Sequence, residues 1–301
     1  MTSARDGSDE TNYSLIQLLQ NEDASEIAYD DPMWEDLLNQ LTYEDMSRLC
    51  AVGRADDRVP GVHRQARDPG SQRPLRCDPE VLRRPQRYAN QTNDPDKASD
   101  RYLLPLQRHP GRHHERPVVQ EVGELIGEDA MWAGYAGFYG SGLNIHRTPY
   151  AGRVFEYYSE DGILTGLIDT YETIGIQSKG VYVYNKHFAL NDQELQRQGL
   201  GTWCNEQAMR EIYLRAFELP IVNADAKCVM TAFNRIGAVW SGACDELLTS
   251  WLRGEAGMTG FAVTDMYEGD YMSKPHEALA GNDIPDNFPG TTVPVWTPPP
   301  A

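Results

Sequence analysis

Two short apolar runs in this sequence are each followed by side chains that could do chemistry. Residues 180–184 lead into Lys186 and His187, and residues 261–264 lead into Asp265. A carboxylate can act as a nucleophile or a proton carrier, and the lysine–histidine pair places a charged donor beside a donor/acceptor. A lone aspartate after a strand is more often a turn or cap residue. The spacing alone therefore leaves both roles open for Asp265.

Strand-like and helix-like segments alternate around these residues. The predicted elements are a helix over 163–177, a strand over 180–184, a helix over 205–219, a strand over 228–233, a helix over 245–252 and a strand over 261–264. This order predicts an α/β fold with parallel strands. In an α/β barrel the chemistry is built at the carboxyl ends of the strands. We therefore expect Lys186, His187 and Asp265 to lie at that face.

Helical spacing predicts which side chains of the helices face the core. An early helix over 32–52 is predicted after the N-cap Asp31 and Pro32. After residue 121 the inward positions are predicted to be Val122, Leu125, Ile126 and Met131, and in the helix over 205–219 they are Ala208, Ile212 and Phe217.

The composition excludes several classes of protein. The 301 residues carry a net charge of −18, which argues against a basic nucleic-acid binder. No run approaches the roughly 18 apolar residues that span a bilayer, and the N-terminus lacks the apolar stretch of a secretory signal. The five cysteines form no C-x-x-C motif, which disfavours a disulfide framework or a zinc ribbon. We expect a reduced, cytoplasmic protein that binds neither nucleic acid nor membrane.

Residues 54–117 differ from the rest of the chain. They hold 14 of the 27 basic residues and 9 of the 45 acidic ones, so this segment is +5 while the remainder is −23. A basic disordered insert and an RNA- or phosphate-binding segment are both compatible with that charge. Tyr88 and Tyr102 are the only aromatic residues there that could stack on bases, which disfavours the nucleic-acid interpretation.

Residues 150–290 resemble the barrel domain of glycoside hydrolase family 3, the β-glucosidase group. Seven blocks occur in the order of the family, which makes the resemblance specific. They are GRVFEYYSED at 152–161, GIQSKG at 175–180, KHFALNDQE at 186–194, REIYLRAFE at 210–218, VMTAFN at 229–234, GFAVTDM at 260–266 and LAGND at 279–283. The resemblance implies a (β/α)8 barrel of the TIM type and a retaining β-glycosidase without a metal or an organic cofactor.

The resemblance also assigns roles within the candidate site. Asp265 matches the nucleophile, which forms a covalent glycosyl-enzyme in retaining enzymes. Lys186, His187 and Arg153 match sugar-binding residues, although Arg153 could instead pair with Glu156 or Glu160. Two more residues, Met266 and Tyr267, follow the nucleophile and could form an apolar wall for the sugar of a glycoside or oligosaccharide substrate. Phe233 stands where many members have tyrosine, which removes a hydroxyl near the nucleophile.

Two parts of the family pattern are missing from the sequence. Most β-glucosidase-type members take the general acid/base, a glutamate, from a separate α/β sandwich domain, and we expect that domain to lie outside this chain. The second missing part is the block Asp-Gly-Pro-x-Gly, which should fall within 54–117. The nearest string, at 68–70, does not match it.

The missing block and the excess of Arg, Pro and His suggest a shifted reading frame. For residues 61–68 and 106–119, codons can be chosen that encode the printed residues. When these codons are translated one base later, both give amino-acid sequence similar to that of the family. We therefore hypothesise that about 54–119 is translated out of frame, which sequencing the gene tests. The expected organisation is an acidic linker or tail at 1–31, an incomplete barrel domain at 32–288 with 54–119 aberrant, and a disordered tail at 289–301.

An incomplete barrel leaves sheet edges and part of its core exposed. We therefore expect the isolated chain to be poorly soluble or molten and to lack β-glucosidase turnover. One rival interpretation is an inactive remnant that binds sugar at most. A less favoured one is a nucleic-acid-binding protein that uses 54–117.

Overall fold

The structure is a computed structural model, and it describes residues 116–133, 137–266 and 271–286. All of these residues belong to one compact unit, Asp78–Asp286. The predicted acidic segment 1–31, the helix over 32–52, the tail 289–301 and all but the last residues of 54–119 lie outside the described residues.

Helices flank the strands along the described part of the chain. They are α1 (Arg116–Ala133), α2 (Gly162–Gln177), α3, α4 (Glu246–Glu255, π-helical) and α5 (Lys274–Leu279). Helix α3 joins Glu206–Ala208, a π-helical turn at Met209–Leu214 and Arg215–Ala224. Asp161 and Asn205 cap α2 and α3 by accepting hydrogen bonds from the backbone N–H groups three residues on, at 2.9 and 2.8 Å. No described helix is long and apolar enough to cross a membrane.

The strands form one large parallel sheet and one small sheet. They are β1 (Gly137–Phe138), β2 (Tyr182–Phe188), β3 (Gly201–Thr202), β4 (Cys228–Thr231), β5 (Arg235–Ile236), β6 (Val239–Trp240), β7 (Phe261–Met266) and β8 (Ile284–Asp286). The large sheet has the order β1-β2-β4-β7-β8 with every pairing parallel. The small sheet has the order β3-β5-β6. The described residues thus form an α/β half-barrel of parallel strands, which confirms the predicted fold class at that level.

The core lies between the strands and the helices. The ring of Phe188 packs against Phe217 of α3 and Trp251 of α4, with centroids 5.1 and 5.7 Å apart. On the other side of the sheet, Tyr184, Met230 and Val263 form a separate apolar cluster. Side chains of a strand alternate between these two sides, so Lys186 lies on the side of Tyr184.

A register shift between Lys186 and Phe188 interrupts the alternation in β2. Such irregularities re-aim side chains. Here Phe188 joins the helix-side core, whereas Lys186 and His187 both approach Asp265 of β7. The strand also extends further than predicted, so Lys186 and His187 lie inside β2 rather than after it.

Two predicted helix faces are wrong in part. On α1, Leu125 and Met131 are 51% and 55% exposed, because Gly123 and Gly127 are the residues that meet α2. On α3, Ile212 is 39% exposed and Tyr213 is buried instead. The π-helical turn adds one residue to the helical turn, which shifts the inward positions by one from Ile212 to Tyr213.

The α1–α2 contact depends on two glycines. A Cβ atom at Gly175 would lie 2.2 Å from the backbone oxygen of Gln120, and one at Gly123 would lie 2.3 Å from the backbone oxygen of Glu172. We expect Gly175→Ala to force the helices apart and to lower the unfolding free energy by about 1–3 kcal/mol. Urea denaturation measures this change.

Gly254 of α4 provides the matched control. A Cβ there meets nothing closer than 3.5 Å, and alanine is the better helix former. Gly254→Ala should therefore raise the unfolding free energy by about 0.5–1 kcal/mol. Equal effects of the two substitutions would contradict the close contact at Gly175.

Candidate active site

Asp265 lies near the carboxyl end of β7 and is 5% exposed. Its Oδ1 atom accepts a hydrogen bond from the backbone N–H of Met266 at 2.8 Å. No described group donates a hydrogen bond to its buried Oδ2 atom, which lies 3.5 Å from Nε2 of His187. One carboxylate oxygen is thus fixed by the backbone and the other has a lone pair available.

Burial raises the pKa of Asp265 to about 6. The hydrogen bond from Met266 and the positive charges of Arg153 and Lys186 oppose this rise, while the carboxylate of Asp286 adds to it. The carboxyl group is therefore mostly ionised at neutral pH and protonated in mild acid.

Backbone and side-chain hydrogen bonds fix His187. Asn144 donates to the His187 carbonyl oxygen at 3.0 Å and accepts from its N–H at 2.9 Å. The ring Nδ1 lies 3.3 Å from both the Tyr157 hydroxyl and Asn144 Oδ1. Burial, with Arg153 and Lys186 nearby, holds the pKa of His187 well below its usual range. His187 is therefore neutral at pH 7 and contacts Asp265 without a charge of its own.

Glu156 forms ion pairs with the other two predicted sugar-binding residues, Arg153 and Lys186. Its Oε1 accepts from Nε of Arg153, and its Oε2 lies 3.4 Å from Nζ of Lys186. Burial lowers the pKa of Lys186 against the opposing charge of Glu156, while Lys186 and Arg153 hold the pKa of Glu156 below its usual range despite burial. The ion pair that the sequence offered as the other role for Arg153 is therefore present. Arg153 also belongs to the electrostatic environment of Asp265.

Only one of the two residues predicted to form an apolar wall lies among the described residues. Met266 packs against the cluster of Phe233, Trp240 and Met272, whereas Tyr267 lies outside the described residues. The guanidinium carbon of Arg197 lies 4.5 Å from the centroid of the Phe233 ring, where the sequence had suggested a lost tyrosine hydroxyl. Phe233 thus serves as the face for a cation–π contact.

The structure adds neighbours that the sequence did not identify. Asn144 and Tyr157 hold His187, and Asp286 affects Asp265 while accepting a hydrogen bond from Tyr139. Asn144 lies in a segment without periodicity, so no sequence signal marked it. Among the described residues, no group of three His, Cys, Asp or Glu side chains could hold a metal ion. The arrangement can bind a hydroxyl-rich molecule and present one carboxylate to it.

A protein-family model matches more than half of the chain, including the predicted residues of this site. The model described as "Glycosyl hydrolase family 3 N terminal domain" matches residues 97–280. The chain belongs to glycosyl hydrolase family 3. The family match begins inside 54–119, and the hypothesis of a shifted frame there stays a prediction.

Individual relatives agree with the family 3 assignment. The chain is 37% identical over 183 residues to "Probable beta-glucosidase I" of Aspergillus flavus, covering 60% of this chain and 21% of the relative. It is 39% identical over 168 residues to "Beta-glucosidase A" of Butyrivibrio fibrisolvens, covering 56% and 20%. The chain therefore spans about a fifth of the length of these curated relatives.

Solved family 3 structures share the fold. Beta-glucosidase 3B from Thermotoga neapolitana in complex with glycerol has 37% sequence identity and a TM-score of 0.58, over 60% of this chain and 25% of that one. The same enzyme in complex with alpha-D-glucose gives 31% identity and a TM-score of 0.67, over 83% and 36%.

Proposed function

We propose that this chain is part of a retaining β-glycosidase that removes terminal non-reducing β-D-glycosyl residues, with Asp265 as its nucleophile. The observation that carries the proposal is the buried carboxylate at the end of β7, with Oδ2 unbonded and Lys186, His187 and Arg153 around it. Its family 3 relatives named as β-glucosidases support the substrate class.

The chemistry follows from the charge and position of these groups. Asp265 Oδ2 attacks the anomeric carbon as the bond to the leaving oxygen breaks, which gives a glycosyl-enzyme. The neutral ring of His187 and the cations of Lys186 and Arg153 bind the sugar hydroxyls. The two cations also favour the ionised form of Asp265. Water then attacks the same carbon and releases the sugar with retained configuration.

Retention also requires a second carboxyl group, about 5 Å from the first, that protonates the leaving oxygen and later activates water. We assign this role to a glutamate of an α/β sandwich domain outside the described residues. The described half-barrel then corresponds to part of a (β/α)8 barrel. This assignment agrees with the small share of the relatives that the chain covers.

A mechanism-based 2-deoxy-2-fluoro-glucoside with a good leaving group tests the proposal. Its activated leaving group departs without a general acid, so a working nucleophile alone suffices. We expect mass spectrometry to locate the label on the peptide that contains Asp265. A label on a different peptide would show that Asp265 is not the nucleophile.

The rate of labelling should depend on pH through the ionisation of Asp265. Because the pKa of this carboxyl is raised to about 6, the rate should rise with pH and level off above about pH 7. At pH 5 it should be about tenfold below the plateau, because only a tenth of the carboxyl groups are ionised. A rate independent of pH between 5 and 7 would contradict the proposed nucleophile.

An inactive remnant is the second candidate function. It is favoured by the departure of the sequence from the family pattern, since the block Asp-Gly-Pro-x-Gly is missing from 54–117. A folded chain that binds glucose but is never labelled would support the remnant. Ordinary turnover of an aryl β-glucoside by the purified chain would overturn it.

A further inference from the structure

A second group of buried polar side chains lies on the helix side of β2, away from the candidate active site. This polar cluster consists of Ser141, Tyr158, Asp169, Glu172 and Asn185, all buried. Asp169 and Glu172 are one turn apart on α2 and are fully buried. The proposed mechanism uses none of the five.

Hydrogen bonds connect the members of the polar cluster. Ser141 donates to Glu172 Oε1 at 3.0 Å, and Asp169 Oδ2 accepts hydrogen bonds from Asn185 and, at 3.4 Å, from the Thr173 hydroxyl. The Tyr158 hydroxyl faces Ser141 and Glu172. The second oxygens of Asp169 and Glu172, the side-chain oxygen of Asn185 and the Tyr158 hydroxyl have no hydrogen-bond partner among the described residues. The single hydroxyl donor of Tyr158 cannot serve all three acceptor oxygens, and a proton held by one of the two carboxyl groups supplies a second donor.

No described cation compensates the pair Asp169–Glu172. From β2 the facing group is Asn185, and from the neighbouring segments the facing groups are Ser141 and Tyr158. Helix α1 presents the backbone of Gly123, and α3 presents Ala216 and Leu219 against Gly166, one turn before Asp169. Two ionised carboxylates would therefore repel each other in a buried site where no described cation faces them.

The polar cluster is connected to the candidate active site through the backbone. Asn185 directly precedes Lys186 and His187, and the Ser141 carbonyl oxygen accepts a hydrogen bond from the Lys186 N–H at 2.9 Å. We propose that the polar cluster positions the strand end carrying Lys186 and His187, and that it does so only while the pair Asp169–Glu172 keeps a proton. The positioning role rests on the proposed function, whereas the proton does not.

The pKa shifts of the two carboxyl groups support the proposal and set the sign of the pH dependence of stability. Burial is the main cause that raises the pKa of Asp169 to about 8, and Glu172 adds to it. Burial likewise raises the pKa of Glu172. A carboxyl group with a raised pKa in the folded state binds more protons folded than unfolded. The stability it contributes is therefore lost as the pH rises from about 4 to about 8.

Urea unfolding between pH 5 and 9 tests the proton. The equilibrium constant for folding of the wild type should fall, by up to about a factor of ten per pH unit, relative to that of Asp169→Asn. The amide of this variant needs no added proton. Glu172→Gln should reduce the slope as well and serves if the first variant fails to fold. Exposed Asp245 provides the control, since Asp245→Asn should keep the wild-type slope. Equal slopes in all four proteins would overturn the proposal.

Hydrogen exchange of the peptide 182–188 tests the positioning. At each pH, the exchange rate of the wild type is divided by that of Asp169→Asn. This ratio cancels the intrinsic pH dependence of amide exchange. We expect a ratio near one at pH 6 and severalfold higher at pH 9. A ratio that does not change with pH overturns the positioning role. Failure of Asp265 labelling would remove the proposed function but leave both of these results standing.

Discussion

Asp265→Asn should abolish covalent labelling of the chain by the activated fluoro-glucoside. The amide keeps the size of the carboxyl group but has no anionic oxygen to attack the anomeric carbon. Removal of a nucleophile typically costs several orders of magnitude, so we expect the labelling rate to fall by at least about 10³. Intact-mass spectrometry over time measures the rate.

The controls separate chemistry from folding. Asp245→Asn makes the same change at an exposed carboxyl group and should label at the wild-type rate. Asp265→Asn should unfold at a similar or higher urea concentration, because it removes a buried carboxyl with a raised pKa. Labelling of Asp265→Asn at the wild-type rate would show that another residue is the nucleophile.

Glu156→Gln should destabilise the fold more than any surface change. Glu156 is the acceptor that Arg153 and Lys186 share, and all three side chains are largely buried. Removing one partner of a buried ion pair leaves an uncompensated charge and costs about 3–5 kcal/mol of unfolding free energy. Lys186 would then lose the carboxylate that most favours its charged form.

A half-exposed pair on α3 provides the comparison. Glu218 bonds Arg215 at 2.7 Å, and exposed pairs contribute little. Glu218→Gln should therefore leave the urea midpoint nearly unchanged. If Glu156→Gln has an effect as small as that of Glu218→Gln, the three-residue ion network does not stabilise the site.

The positions of β2, β4 and β7, and the approach of Lys186 and His187 to Asp265, could be predicted from the sequence. Apolar runs marked the strands, and the family blocks marked Asp265, Lys186 and His187. The phase of α3 could not be predicted, because the π-helical turn at Met209–Leu214 leaves no signal in apolar spacing. The inward face of α1 was missed because Gly123 and Gly127, rather than larger apolar residues, make the contact.

Partners that are distant in sequence were also beyond prediction. Asn144 meets His187 through a segment without periodicity, and the register shift in β2 depends on the neighbouring strand. Asp169 and Glu172 have the residue types of a solvated helix face, yet they are buried because α1, α3 and β2 pack on α2. Such burial is set by tertiary packing rather than by the local sequence.

The all-parallel sheet has a consequence for the time course of folding. Each neighbour in β2-β4-β7-β8 is reached only after an intervening crossover segment. Pairings between distant residues must close large loops before any contact is gained, which slows folding. During synthesis, apolar strands such as β4 therefore wait for partners made later, and in that interval they are exposed to association with other chains. The yield of native protein in a cell would then depend on chaperones and on the rate of translation as well as on the final stability.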